Sequence, residues 1–200
     1  VQDASMGYFI TPMISIFLGN IFLREKISLL KFISVILMIL AIINLFLNLK
    51  EIPILVILIG TTWAIYGLLR KQIKVSASIG LLYESLIITL ISLPYLIYLF
   101  YLNESSFLKV DQKTTFFLIS TGAVTIFPLF FFNLGLKFIQ LGLAGVLFYL
   151  APTFHFITSV FILGEEIEIA KLISFLIIWI GIILYIYDTF KNQTILSKTQ

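Results

Sequence analysis

The sequence predicts an all-α integral membrane protein: a bundle of seven transmembrane helices belonging to a ten-helix inverted repeat of five plus five. Three observations carry this. Hydrophobic residues make up 60% of the 200 and charged residues only 12%, whereas a soluble domain is roughly half apolar and a quarter charged. A chain this short cannot hide so much apolar surface from water. The apolar residues also fall in continuous runs of the roughly 20 residues a spanning helix needs. They do not alternate over about 10 residues as barrel strands do. Finally, one segment occurs twice, and the two copies are expected to cross the membrane in opposite directions.

The first span covers residues 4–23 and stops at Arg24 and Lys26; it has neither the basic leader nor the small-residue cleavage site of a signal peptide. The second runs over 29–49. The third, 52–70, ends at the basic stretch "RKQIKVSA", Arg70 to Ala77. The fourth, 78–101, encloses Glu84, and the fifth, 114–136, encloses Pro128 and Asn133. The sixth, 141–163, contains Pro152 and His155; the seventh, 168–188, leads into a short tail. Nine of the thirteen Lys and Arg residues fall on one side (side A), in the loops after spans one, three and five and in the tail. The positive-inside rule makes that side cytoplasmic.

"ITPMISIFLGNIFLREKISLLKFIS" (Ile10 to Ser34) aligns without a gap on "LAPTFHFITSVFILGEEIEIAKLIS" (Leu150 to Ser174), 140 residues later. Pro12 falls on Pro152, Glu25 on Glu165 and Lys31 on Lys171. Scarce residue types in register argue for duplication rather than chance likeness of apolar helices. One copy lies on an outside-to-inside span and the other on an inside-to-outside span, the pattern of secondary transporters. Spans six and seven match one and two, so the repeat unit has five helices. Residues 51–190 then form a complete second unit, residues 1–50 supply the last two helices of the first, and 191–200 form a cytoplasmic tail. A chain beginning with Val1 and lacking three helices of one unit is expected to be the C-terminal portion of a ten-helix protein.

The paired "FLREKISLLKFIS" and "ILGEEIEIAKLIS", each ending a half, resemble the EamA repeat of the drug/metabolite transporter superfamily. "WAIYGLLRK" (Trp63 to Lys71), "GLLYESLIITLISLP" (Gly80 to Pro94), "TGAVTIFPLFFFNLGLKFI" (Thr121 to Ile139) and "LAGVLFYLAPT" (Leu143 to Thr153) resemble its RarD-type branch. The likeness covers nearly the whole chain. The first copy departs from it by carrying Arg24 where the second has Gly164. The resemblance implies an inner-membrane permease moving small organic metabolites or drug-like compounds by gradient-driven export or exchange. It implies membrane lipid and a small-molecule substrate as partners. Protons are the candidate coupling ion and a homodimer the candidate assembly; nucleic acid and cofactors are not expected.

Polar and ionisable groups at membrane depth are costly and tend to face a cavity or a partner. His155, three residues after Pro152, is a candidate substrate contact or proton relay, with a hydrogen-bonded core histidine as the plain alternative. Its repeat counterpart is Ser15. Glu84 lies about 9 Å past the cytoplasmic start of span four. Pro12, Pro152 and Pro128 bend their helices and free carbonyls. Trp63 and Tyr66 offer an aromatic wall; Asn133 and Asn20 offer interhelical hydrogen bonds. Gly7, Gly19, Gly67, Gly122, Gly142 and Gly145 suit close helix contact. Glu25 and Glu165 are expected to cap the helix that follows each, and Lys31 and Lys171 to snorkel to headgroups. The chain contains no cysteine, which removes disulfides and thiolate chemistry from these residues. A single His, with no H-E-x-x-H, G-x-S-x-G or Walker pattern, argues against an intramembrane enzyme and an ATP-driven pump. A seven-helix receptor conflicts with the five-helix period. A non-transporting remnant or assembly subunit remains open at this level.

Overall fold

In lipid every backbone N–H and C=O has to find its partner within the protein, and helices do so locally. The computed structural model describes residues 7–47, 54–105, 107–108, 110–164 and 169–198, and among these there are eight helical segments and no strand. They are α1 (Gly7–Leu23), α2 (Leu29–Leu47), α3 (Ile54–Gln72), α4 (Ala77–Tyr101), α5 (Gln112–Gly135), α6 (Leu141–Leu147), α7 (Leu150–Phe161) and α8 (Ile169–Lys198).

The expectation of seven spans is met in part. Five stretches are long and apolar enough to cross a membrane: α2, α4, α5, Leu141–Phe161 and Lys171–Lys191. Over its described residues α1 is shorter, and α3 is diluted by Thr61, Thr62, Trp63, Tyr66, Arg70 and Lys71. The sixth span is broken rather than continuous. Pro152 has no N–H to offer the Phe148 carbonyl and its ring crowds that group. The carbonyl takes the Ala151 N–H instead (3.1 Å), and Phe148 and Tyr149 likewise bond three residues back, to Gly145 and Val146. This tightened turn separates α6 from α7. Pro12, Pro94 and Pro128 sit inside continuous helices. The segment expected to be a tail continues α8 as helix to Lys198.

The chain divides into two packing units, Val1–Arg70 with Ile139–Gln200, and Lys71–Phe138. The first has two principal seams. In one, α2 packs on α8: Ser34, Met38, Ala41, Ser174 and Ile178 are all but inaccessible, and Asn44 donates to Ser174 (2.8 Å). A Cβ on Gly181 would press on Met38 and the Ser34 carbonyl, so the glycine sets the helix separation. In the other, α1 packs on α6, with Gly145 against Pro12 and Ser15, and Gly142 against Ile16. Contacts descend one chain as they climb the other in both seams: Phe9 with Tyr149, Ser15 with Gly145 and Glu25 with Leu141; Lys31 with Tyr185, Ser34 with Gly181 and Asn44 with Ser174. The second helix of the sequence repeat, α2, therefore lies antiparallel to its own counterpart in α8, whereas α1 lies antiparallel to α6, the stretch just before its counterpart α7.

In the second unit α4 and α5 form a helical pair. Lys71 donates to the Leu136 carbonyl (2.9 Å) and Lys137 to that of Val75 (2.8 Å), so each basic loop neutralises carbonyls of the other. Ser76 and Asp111 cap α4 and α5 through the Ile79 and Thr114 amides. The bonded Thr114 amide holds the Asp111 carboxyl below its ordinary value. That cap is at full strength above the unfolded carboxylate pKa and fades as pH falls through the lower folded value.

Arg24 and Gly164, 140 residues apart, both have left-handed backbones (φ 55° and 68°). The helix stop is thus a shared feature of the two copies, and the Arg/Gly departure has a physical meaning: glycine tolerates this conformation and arginine is strained in it. Replacing Arg24 by Gly is expected to stabilise the full-length protein by about 1 kcal/mol, seen as a raised Tm in detergent. The glycines differ among themselves. Gly19, Gly67, Gly142 and Gly145 sit at helix contacts as expected, whereas nothing lies within 4 Å of a Cβ on Gly122. Gly145→Ala, which meets the Pro12 backbone at 3.1 Å, is expected to destabilise by about 1–3 kcal/mol. Gly122→Ala is expected to be neutral or stabilising by up to about 1 kcal/mol in the same denaturation measurement.

Candidate functional site

A group of charged and polar side chains of the first unit gathers where α1 stops and α6 starts. The stop is local in origin. The Glu25 N–H reaches back to the Gly19 carbonyl (3.0 Å), and Asn20 donates to the Glu25 carbonyl (2.9 Å). This aims the Glu25 side chain across the α1–α6 seam. Its two carboxylate oxygens accept the Leu141 N–H (2.5 Å) and the Gly142 N–H (3.0 Å). Negative charge on a helix N-terminus is favoured by both the free amides and the helix dipole. Space for the carboxylate comes from two glycines: a Cβ on Gly19 would lie 2.6 Å from Oε2, and one on Gly142 3.5 Å from the same atom.

Around this clasp stand three groups from other helices. Lys31 of α2 is buried, donates to the Gln140 side chain (2.8 Å) and lies over the Tyr185 ring at 5.0 Å. Glu25 and Asp188 are within electrostatic reach of it. Tyr185 and Asp188 of α8 are likewise buried, and the Tyr185 hydroxyl occupies the place a Gly142 side chain would need. Two expectations are corrected here. Glu25 caps α6 and not the helix that follows it; Ser28 does that, accepting the Lys31 N–H at 3.1 Å. Lys31 does not snorkel outward, because Gln140 and the Tyr185 face give its ammonium partners inside. Lys171 is exposed, and Glu165 lies outside the described residues.

A second group surrounds the break in span six. The Trp63 ring lies 5.4 Å from that of Tyr66 and meets the Phe148 ring edge-on at 5.8 Å. Tyr149 is fully buried and its hydroxyl donates to the Phe9 carbonyl (3.2 Å). Beyond the break, α7 is fastened to α8. Trp179 donates to Thr153 (3.0 Å), and Phe156 stacks on Phe175 with centroids 4.5 Å apart.

The other candidates are dispersed. Pro12, Ser15 and Pro152 are buried, the first two in the α1–α6 seam. His155 is exposed on α7, so it and its counterpart Ser15 have unlike surroundings. In the second unit Glu84 is half-buried seven residues into α4, Pro128 is exposed and Asn133 is buried. Asn20 bonds within its own helix stop rather than between helices. Sequence reasoning passed over Gln140, Tyr185 and Asp188. The one legible signal was that Asp188 follows a long apolar run directly.

Five helical stretches long and apolar enough to cross a membrane define a multi-pass α-helical membrane protein. The chain belongs to the EamA-like transporter family, which it matches over residues 51–187. It is 32% identical to the protein RarD of Escherichia coli, over 98% of this chain and 66% of that protein. With RarD of Salmonella typhi it shares 31% identity, covering 96% and 65%. An uncharacterized transporter of Pseudomonas aeruginosa is 29% identical, covering 95% and 64%. The chain thus spans just under two thirds of the length of these relatives.

Loss of the clasp is measurable. Glu25→Gln keeps one acceptor but turns an amino group toward an amide donor. It is expected to cost about 2 kcal/mol in the full-length protein, read as a lowered Tm in detergent. Glu25→Asp, too short to reach both amides, is expected to fall between the two.

Proposed function

We propose that the full-length protein is a secondary transporter that moves small organic metabolites or drug-like compounds across the inner membrane by gradient-driven export or exchange. The observation that carries this reading is the antiparallel seating of α2 on α8, helices that hold equivalent positions of the repeat, with Ser34 and Met38 and their counterparts Ser174 and Ile178 all buried between them. Two copies of one design packed head to tail can exchange conformations, and the exchange opens a central path first to one face and then to the other. Family membership and the names of the relatives support the same reading.

In this reading residues 51–190 are the second five-helix repeat and residues 1–50 the end of the first. Relatives about half as long again have room for three further helices. The nine cations on side A support a cytoplasmic C-terminus. The Trp63–Tyr66–Phe148 cluster beside a broken helix supports an aromatic wall for an organic solute, and His155 and Glu84 are the ionisable groups proposed to face the path or couple it to protons.

Proteoliposomes carrying the full-length protein, challenged with a panel of small aromatic compounds under proton gradients of either sign, test this. Flux above empty vesicles is expected. Trp63→Ala should lower it at least tenfold while Trp63→Phe retains most of it, and His155→Ala and Glu84→Gln should abolish it at unchanged membrane abundance. Wild-type flux in all the variants rejects the site residues. Absence of flux for every compound rejects the transporter reading.

A further inference from the structure

We propose that α6 is a gate segment, hinged at the tightened turn before Pro152 and latched at its N-terminus by the Glu25 carboxylate. The proposal rests on the transporter reading and adds a moving part to it. The two halves of span six both meet α1 and α8, but their specific ties differ. Helix α7 is tied to α8 by the Trp179–Thr153 hydrogen bond and by the Phe156–Phe175 stack. Helix α6 is tied to α1, through Gly145 against Ser15 and through Glu25 on Leu141 and Gly142. Between them lie three i→i+3 bonds, from Phe148, Tyr149 and Ala151. A turn of that kind, next to a proline, is where a helix bends most readily.

The seams also differ in what separation would cost. The α2–α8 seam interlocks Met38, Ile178 and Phe175 and is a fixed wall. The α1–α6 seam comes closest at the small residues Ser15, Gly142, Gly145 and Gly19, with Ile16 and the Phe9–Tyr149 contact packed beside them. What holds its open end is polar. The α6 amides and the Glu25 carboxylate can exchange their mutual bonds for water at the membrane boundary at small net cost. Lys31, Gln140, Tyr185 and Asp188 surround the latch and keep the carboxylate in register when it is closed. Both ends of the moving part are thus specified by residues of this chain.

Single cysteines in the full-length protein test the proposal, since these 200 residues contain none of their own. Ser15→Cys and Ile16→Cys report on the α1–α6 seam, where both parent residues are under 5% exposed. Ser34→Cys reports on the fixed α2–α8 seam. Each is labelled in membranes with a water-soluble maleimide, with Glu25 intact and as Glu25→Ala. Removal of the latch is expected to speed labelling at residues 15 and 16 at least tenfold and to leave residue 34 unreactive. Unchanged labelling at both 15 and 16 overturns the latch. Equal acceleration at residue 34 also overturns it, because the change is then general loosening. The readout needs no substrate: a latch that opens in a protein without flux sinks the transporter reading and not the gate, and normal labelling with intact flux does the reverse.

Discussion

The Glu25 carboxylate on the first amides of α6 is the constraint around which this end of the molecule is built. A helix that starts in or near hydrocarbon exposes donors with no intrahelical partner. The chain satisfies two of them with one side chain from 116 residues earlier. That solution dictates its surroundings. Gly19 and Gly142 are needed because any Cβ there would occupy the carboxylate's or the Tyr185 hydroxyl's space. Lys31 is drawn inward by Gln140 and Tyr185, and Asp188 is buried alongside. Several charges in a low-dielectric setting are tolerated because each has partners.

The same end of the protein divides mechanical duties between two seams. Met38, Ile178 and Phe175 interlock α2 with α8 around the small Ser34, Ala41, Ser174 and Gly181, and the dispersion gained over these close contacts is lost when the helices part. Small residues bring α1 close to α6, with Ile16 and the Phe9–Tyr149 contact beside them, and the Glu25 clasp closes one end of that seam. Pro152 supplies the discontinuity that divides one span into two short helices.

The repeat is visible in the backbone as well as in the letters. Arg24 and Gly164 share a left-handed conformation although one has a side chain and the other does not. Ser34 and Ser174, and Met38 and Ile178, occupy equivalent fully buried places on facing helices. Surroundings have nevertheless diverged. Ser15 is sealed against Gly145 while His155 is exposed, and Lys31 is buried while Lys171 is not. The two segments share the helix stop and the buried α2–α8 seam and differ on their other faces.

Composition and run length by themselves determined that this chain is helical and lives in lipid, because apolar surface on that scale has no other solvent and unpaired backbone no other form. The gapless register of Pro, Glu and Lys displayed the likeness of two segments 140 residues apart. Local chemistry also revealed where helices stop and which glycines to suspect, though Gly122 proved to touch nothing. Only the tertiary structure decided that span six is broken and that Glu25 reaches α6 rather than α2. It also decided that Lys31 turns inward and that Tyr185 and Asp188 join the clasp. The reason is physical: hydrophobic pattern and turn chemistry act over a few residues, and sequence displays them directly. The partner of a buried charge is whichever group three-dimensional packing brings within about 3 Å, and nothing in the spacing of Glu25, Gln140 and Tyr185 along the chain records that they meet.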